Sequence, residues 1–144
     1  MQATRFDCHG DYSLTAENRL LVIHASSAWN KEHSLAFVND CKCLITATLA
    51  PHTFYVLTCT SDWLPTHDSL AILRELTHWS IEQGMRAQAF CFSNQLEIEV
   101  LTQKIVPQDN ERFVRRGFMD ESEAREWLSS MARMDGHALV SLQA

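Results

Sequence analysis

Cysteine and histidine are the side chains of this chain whose chemistry could support a metal site. The sequence holds seven histidines and five cysteines. Cys41 and Cys43 are two positions apart on a predicted helix, where side chains diverge by about 200°, so they cannot share a tetrahedral ion. Cys8 and His9 could meet His24 across the first strands, but this spacing is not that of a known ligand set. The sequence therefore predicts neither a metal nor a cofactor.

Cys59 is the candidate nucleophile. It ends a predicted strand close to a helix start, where the pKa of a thiol can fall, and His67 or His78 could then act as the base. A buried structural cysteine is the more common situation for such a residue. The chain has four glycines and contains no Gly-x-Gly-x-x-Gly, Walker or Gly-x-Ser-x-Gly motif. We therefore expect a protein that is not an enzyme.

The charge of the chain argues against nucleic acid as a partner. Twelve Lys and Arg residues stand against 18 Asp and Glu residues, a formal net charge of -6, and a surface of this sign repels phosphate backbones. No signal peptide is visible, and no segment approaches the roughly 18 apolar residues that would span a bilayer. Five cysteines without a framework spacing fit a reducing compartment. These features predict a cytoplasmic protein with one domain over residues 1–134 and a C-terminal tail over residues 135–144.

The elements that would position such side chains are clearest over residues 53–76. Residues 54–59 are rich in aromatic and β-branched side chains and predict a buried strand. A short loop follows, and Pro65 and Thr66 then mark the start of a helix that Gly84 ends. A strand that leads through a short loop into a helix is half of a βαβ unit, so this stretch favours an α/β fold.

The remaining pattern predicts the other strands and helices. Alternating apolar residues in the first 25 positions predict two antiparallel strands and a third strand, Leu20 to Ile23, that is apolar on both faces. The further predicted elements are a helix from Asn30 to about Leu49, a strand from Arg86 to Phe92, a helix from Asn94 to about Ile105 with Glu97 in capping-box position, a short irregular or extended piece between Phe113 and Phe118, and a last helix capped by Asp120. The sequence thus predicts an α/β fold with a mixed sheet of about five strands and about four helices.

The four tryptophans divide into two pairs. Trp79 and Trp127 lie on apolar helix stripes and are expected in the core. Trp29 and Trp63 are predicted in loops just before helices, at the edge of a parallel sheet where open α/β folds bind ligands. These two rings could line a pocket for a small apolar or lipid-like ligand, form part of a patch for a protein partner, or simply cover the core.

Several short motifs together resemble the STAS domain, the fold of bacterial anti-sigma-factor antagonists, and more narrowly its SpoIIAA-like relatives. The motifs cover most of residues 10–130; they are Ala28-Trp29-Asn30, Asp62-Trp63-Leu64-Pro65-Thr66, Gly84-Met85-Arg86, and Phe118 followed by Glu123 to Leu128. The resemblance implies a SpoIIAA-like fold and a non-enzymatic, cytoplasmic interaction module that binds a protein partner or a second copy of itself. It places the binding face around residues 61–70.

The resemblance also implies a position for a regulatory switch. In the antagonists a kinase modifies the second serine of an Asp-Ser-Ser-Gly-Leu-type segment at a helix start. Without gaps, Asp68 lies at that serine's position, which a serine kinase cannot phosphorylate; a slip of one residue places Ser69 there instead. We favour the ungapped placement because Leu70 and Leu73 then fall on the family's buried positions, although an acidic residue in a first turn also simply complements the helix dipole. The predicted binding residues are Trp29, Asn30, Asp62, Trp63, Thr66, His67, Asp68 and Ser69.

Overall fold

A single mixed sheet organises the protein. The computed structural model describes the backbone of residues 4–7 and residues 12–97, 112–137 and 139. Its six strands lie in the order in which they occur in the chain: β1 (Thr4–Asp7), β2 (Tyr12–Glu17), β3 (Leu20–Trp29), β4 (Phe54–Pro65), β5 (Met85–Cys91) and β6 (Val114–Phe118). The β1–β2 and β2–β3 pairs are antiparallel, and β3 to β6 run parallel. The predicted α/β class and mixed sheet are confirmed, with β6 as one strand more than expected.

Three helices have bounds that the structure gives in full: α1 (Lys31–Thr48), α2 (His67–Gln83) and α3 (Glu121–Met134). Their first turns begin at the predicted caps, because the side chains of Asn30, Thr66 and Asp120 accept hydrogen bonds from backbone N–H groups of those turns. Residues 95–97 are also helical, and the rest of the helix predicted through Ile105 lies outside the described residues. None of the helices in the described part is long and apolar enough to cross a membrane.

The helices cover the two faces of the sheet unequally. Helices α1 and α2 connect successive parallel strands and pack on the same face, as right-handed crossovers along one direction of a sheet require. Helix α3 packs on the opposite face. Trp79 of α2 and Trp127 of α3, which were expected in the core, are half-buried and pack against these two apolar clusters from outside.

Strand β4 is longer than the sequence indicated, and the predicted loop after residue 60 is wrong. The strand continues to Pro65 because β3 continues beside it, with Ala28 paired to Leu64 and Trp29 paired to Pro65. The register shifts between Ser26 and Ala28, and residues Ser27 and Asp62 have positive φ angles of 67° and 49°. Trp29 and Trp63 therefore lie in strands, not in the loops that were predicted for them.

Gly84 ends α2 in a conformation that other residues rarely adopt. Its φ is 125°, and a Cβ at this position would lie 2.6 Å from the carbonyl oxygen of His52. The N–H of Phe54 donates to the Gly84 carbonyl at 3.0 Å, which joins this turn to the start of β4. The turn needs glycine both for its backbone angle and for its space.

Candidate functional site

Glu97 is the centre of the carboxyl edge of the sheet, where β4 and β5 end. Its side chain is fully buried and accepts hydrogen bonds from the backbone N–H of Trp63 at 2.8 Å and of Ser93 at 2.7 Å. The Ser93 hydroxyl donates to it at 2.6 Å, and the N–H of Asn94 donates at 3.2 Å. In return Asn94 Oδ1 accepts from the Glu97 N–H at 2.9 Å, which confirms the predicted capping box. One carboxylate thus ties the end of β4 to the segment after β5.

The environment of Glu97 keeps this carboxylate ionised. Burial by itself raises its pKa, but the Ser93 hydroxyl and the N–H groups of Trp63 and Ser93 donate to the charged form, and together they lower the pKa below its ordinary value. Hydrogen bonds to a charged acceptor are short and strong. The geometry is therefore that of a structural anion that fixes two neighbouring segments.

The start of α2 is tied to the end of β3. Thr66 Oγ1 accepts from the Ser69 N–H at 3.3 Å, and the Thr66 N–H donates to the carbonyl of Trp29 at 3.0 Å. The Ser69 hydroxyl donates to the same carbonyl at 3.3 Å, and the Ser69 side chain is fully buried. His67 and Asp68 precede it on the exposed side of the first turn. Of the two predicted switch positions, Asp68 faces solvent and Ser69 does not.

Trp29 and Trp63 form part of an aromatic cluster beneath this edge. They are 0% and 4% exposed, and their ring centroids are 5.0 Å apart at an interplanar angle of 75°. The Trp29 ring also lies 4.9 Å from Phe37 of α1 and 5.5 Å from Tyr12 of β2. The two indoles are therefore core residues and do not form an exposed rim. Of the three interpretations of the sequence, this agrees with the one in which the rings simply cover the core.

A cavity of about 60 Å³ lies within this core, and both indoles line it. Pockets that bind drug-sized ligands have volumes of roughly 300–1,000 Å³. The cavity is therefore too small for a lipid chain. Its wall is mostly apolar, with a few polar side chains that include Thr58, Gln88 and Arg115.

Arg115 brings a positive charge to the cavity wall. It is 6% exposed, and its Nε donates to Gln88 Oε1 at 2.9 Å while its Nη2 donates to Thr77 Oγ1 at 3.2 Å. Gln88 in turn donates to Thr58 Oγ1 at 2.8 Å. The guanidinium carbon lies 5.2 Å from the ring centroid of Phe90, within cation–π range. This network crosses from β6 through β5 to β4.

The sequence did not single out Arg115 or Gln88. Arg115 belongs to the piece between Phe113 and Phe118 that was predicted as irregular or extended. The usable signal was Phe113 two positions before it, because a strand there places both side chains on one buried face.

Cys59 lies on the other face of the sheet, against α3. Its thiol donates to Glu121 Oε1 at 3.6 Å. Burial, with Glu121 and Cys91 nearby, raises the pKa of Cys59 to about 12. His67 and His78 belong to α2 on the opposite face, so neither histidine can act as a base for this thiol. Among the described residues no group of three or more His, Cys, Asp or Glu side chains is arranged to hold a metal ion.

Asn30 and Asp62 complete the predicted set. The Asn30 side chain caps α1 through the His33 N–H at 2.9 Å. Asp62 is exposed, its N–H donates to Ser93 Oγ at 3.0 Å, and its Oδ1 accepts from Asn94 Nδ2 at 3.0 Å. The structure thus brings all eight predicted residues to one edge; four of them (Trp29, Trp63, Thr66 and Ser69) are joined to one another directly by ring or hydrogen-bond contacts.

Comparison with known proteins gives a match of fold. No protein-family model matches the chain, and no curated protein matches it in sequence. The chain is similar in structure to an uncharacterised protein of the DUF3478 family with a SpoIIAA-like fold from Shewanella loihica PV-4, with a TM-score of 0.57 and 12% identity over 88% of this chain and 92% of that chain. At 12% identity this likeness carries information about the fold alone. The fold that the sequence motifs resemble is therefore confirmed: the protein has a SpoIIAA-like fold.

Proposed function

We propose that this protein is a non-enzymatic, cytoplasmic interaction module that binds another polypeptide through its carboxyl-edge surface. We define this surface by the exposed residues Asp62, Leu64, His67, Asp68 and Leu96. The single observation that carries the proposal is that two large apolar side chains are exposed here, Leu64 by 45% and Leu96 by 54%, in the two segments that the Asp62–Asn94 hydrogen bond joins. Apolar side chains on a rigid, polar-rimmed surface are typical of protein contacts.

The rigidity of the surface supports this function. Glu97 fixes the backbone on both sides of it, and the Thr66 cap fixes the start of α2. A surface that is already ordered loses little conformational entropy when a partner binds. The two carboxylates, Asp62 and Asp68, favour a partner that presents a basic side chain beside an apolar one.

The strand order supports binding through a surface. Open α/β sheets hold cofactors and substrates in a crevice where the strand order reverses. The described strands follow one another without a reversal, and α1 and α2 cover the same face. The raised pKa of Cys59 keeps its thiol protonated near neutral pH, which removes the main support for a cysteine enzyme.

The test compares two aspartate variants. Leu64→Asp changes the proposed surface, while Met134→Asp is the matched control because Met134 is 78% exposed at the far end of α3. A partner captured from extract of the source organism counts only if Met134→Asp retains it and Leu64→Asp loses it. With the purified partner, Leu64→Asp is expected to weaken binding at least tenfold, since burial of a leucine contributes about 1.5–3 kcal/mol.

Self-association is measured with the same variants by size-exclusion chromatography with light scattering. A dimer that Leu64→Asp dissociates identifies a second copy of the chain as the partner. A strict monomer without any partner that depends on Leu64 contradicts the proposal.

A further inference from the structure

Cys59 and Cys91 are neighbours across two parallel strands. They are paired in the register of β4 and β5. Residues paired in this way direct their side chains to the same face of a sheet, from strands that lie about 4.8 Å apart. That face is the one covered by α3, because the Cys59 thiol donates to Glu121 of α3. Both cysteines are half-buried and neither is in a disulfide, so the sheet presents two thiols side by side within reach of solvent.

The two thiols are close enough to act on each other. Burial, followed by the charges of Glu121 and Asp120, raises the pKa of Cys91, whereas a hydrogen bond with Cys59 acts in the opposite direction. A zinc–thiolate bond is about 2.3 Å long, so an ion with bonds of this length holds two sulfur atoms at most about 4.6 Å apart. A disulfide would instead require a separation of about 2.0 Å. Two thiols in hydrogen-bond contact therefore need less movement to hold an ion between them than to form a disulfide.

The donor set decides which ion fits. Thiolates are soft ligands that select monovalent copper, whereas magnesium and calcium take oxygen ligands. Zinc sites use at least three protein ligands, and the described residues contain no group of three or more His, Cys, Asp or Glu side chains arranged to hold an ion. Monovalent copper has a filled d shell and accepts two thiolates in a line. Two adjacent cysteines are therefore sufficient for this ion and insufficient for zinc.

The charges around the pair favour a cation. Glu121 Oε1 accepts from the Cys59 thiol at 3.6 Å, and Arg125 binds the other carboxylate oxygen of Glu121 at 2.8 Å. Arg125 thus holds the carboxylate in place while Oε1 remains beside the sulfur. A bare thiolate here would be repelled by Glu121, whereas a cation that replaces the thiol proton remains attracted to it.

We propose that Cys59 and Cys91 form a binding site for one monovalent copper ion, to which each residue contributes a thiolate. Two S–H bonds break and two copper–sulfur bonds form: two thiols and Cu⁺ give a bis-thiolate complex with one negative charge and two protons, which pass to water. Copper stays monovalent, so no oxidant or reductant takes part. The ion joins the ends of β4 and β5 on the α3 face, opposite the aromatic cluster, and the site is separate from the protein contact proposed for the carboxyl-edge surface.

Competition with a chelator measures the affinity. Reduced protein is titrated under nitrogen into the coloured complex of Cu⁺ with bathocuproine disulfonate, and the loss of colour gives the number of ions bound per chain. The parent protein is Cys8→Ser/Cys43→Ser, which removes two of the other three cysteines; the third, Cys41, is 1% exposed. We expect one ion per chain in this parent and at least one in the wild-type protein.

Two serine variants of the parent assign the site. Cys59→Ser and Cys91→Ser each keep the approximate size of the side chain and remove one thiolate, so each is expected to weaken Cu⁺ binding at least tenfold. Circular dichroism checks that they fold, and should one of them fail to fold, the other decides. Cu⁺ is also expected to raise the melting temperature of the parent and not that of the variants, because only a folded, intact site binds it.

X-ray absorption at the copper edge counts the ligands directly, and two sulfur neighbours are expected in the loaded parent. The proposal is overturned if the parent takes no copper from the chelator. It is equally overturned if the folded serine variants bind copper within tenfold of the parent, which would assign the ion to other side chains. A copper ion with any other number of sulfur neighbours also contradicts it.

Discussion

Replacement of Glu97 by glutamine is the sharpest test of the carboxyl edge. The substitution keeps the size and shape of the side chain and changes one acceptor oxygen into an NH₂ group. Four donors converge on the Glu97 carboxylate in two groups: the Trp63 N–H donates to Oε2, and the Ser93 N–H, the Ser93 hydroxyl and the Asn94 N–H donate to Oε1. A glutamine oxygen can serve one of these two groups only. Whichever way the amide turns, at least one N–H faces another N–H.

The magnitude follows from the hydrogen bonds that are lost. A hydrogen bond to a charged group contributes about 1.5–3 kcal/mol, and a buried donor left unsatisfied costs about 1–3 kcal/mol. Glu97→Gln is therefore expected to lower the free energy of unfolding by about 3 kcal/mol. For 144 residues the unfolding entropy near the melting temperature is about 0.3 kcal/mol per kelvin, so the melting temperature falls by about 10 °C.

The assay is thermal and urea denaturation at pH 7, followed by circular dichroism. Glu82→Gln is the matched control, because Glu82 is exposed in the last turn of α2 and is expected to change stability by less than about 0.5 kcal/mol. A fall of less than 3 °C for Glu97→Gln, or an equal fall for the control, would refute the assignment of Glu97 as the anchor of this edge.

The pH dependence of stability tests the role of the Glu97 carboxylate independently. The pKa of Glu97 is lower in the folded protein than its ordinary value. Its contribution to stability is therefore complete above the unfolded-state pKa of about 4.3 and is lost as the pH falls through the folded-state value. The difference between wild type and Glu97→Gln should accordingly be largest at neutral pH and shrink below about pH 4. A difference that stays constant down to pH 3 contradicts the ionised carboxylate.

Three further predictions concern other parts of the fold. Iodoacetamide at pH 7.5 should alkylate Cys59, whose pKa is about 12, at least tenfold more slowly than the exposed Cys43, as measured by peptide mass mapping; equal rates contradict the buried, protonated thiol. Gly84→Ala should lower the free energy of unfolding by about 2–4 kcal/mol in urea, against about 1–2 kcal/mol for Gly136→Ala, where a Cβ meets nothing within 4 Å; similar values argue against the close approach at Gly84. Ser69→Asp should lower the melting temperature by about 10 °C or more and Ser69→Ala by only a few degrees, since the hydroxyl is buried; tolerance of aspartate within 3 °C would contradict that burial.

The helix starts were predictable from sequence because capping is local. Asn30, Thr66 and Asp120 each satisfy a backbone donor two or three residues ahead, and Asn94 with Glu97 does so reciprocally. Such contacts depend on residue type at fixed spacing, which a single sequence displays.

The extension of β4 was not predictable in the same way. The residues after position 60 include polar and positive-φ positions, and they continue as a strand because β3 runs beside them. A pairing between residues about 36 positions apart leaves no local mark. Trp29 and Trp63 were therefore assigned to the correct edge but to loops, and their burial came from the strand pairing.

Arg115 shows why the interior of the candidate site could not be predicted from the sequence. A charged residue in a five-residue strand has the same sequence signal whether it faces solvent or the core. Its partners, Gln88 and Thr77, come from β5 and α2, and nothing in the local sequence joins them to it. The family resemblance places the predicted binding face around residues 61–70, whereas the cavity beneath that face is visible only in the packed structure.

The sequential strand order has a consequence for how the protein is made. Every pairing in the sheet joins strands that follow each other in the chain, through a two-residue turn between β2 and β3 and through single crossovers between the parallel strands. The β2–β3 turn closes at little cost in chain entropy, whereas each parallel pairing must first close a longer crossover and therefore forms more slowly. A chain that emerges from the ribosome N-terminus first can add each new strand to an edge that already exists. Synthesis and assembly of this sheet therefore proceed in the same direction, and each open edge is covered by the next strand to appear.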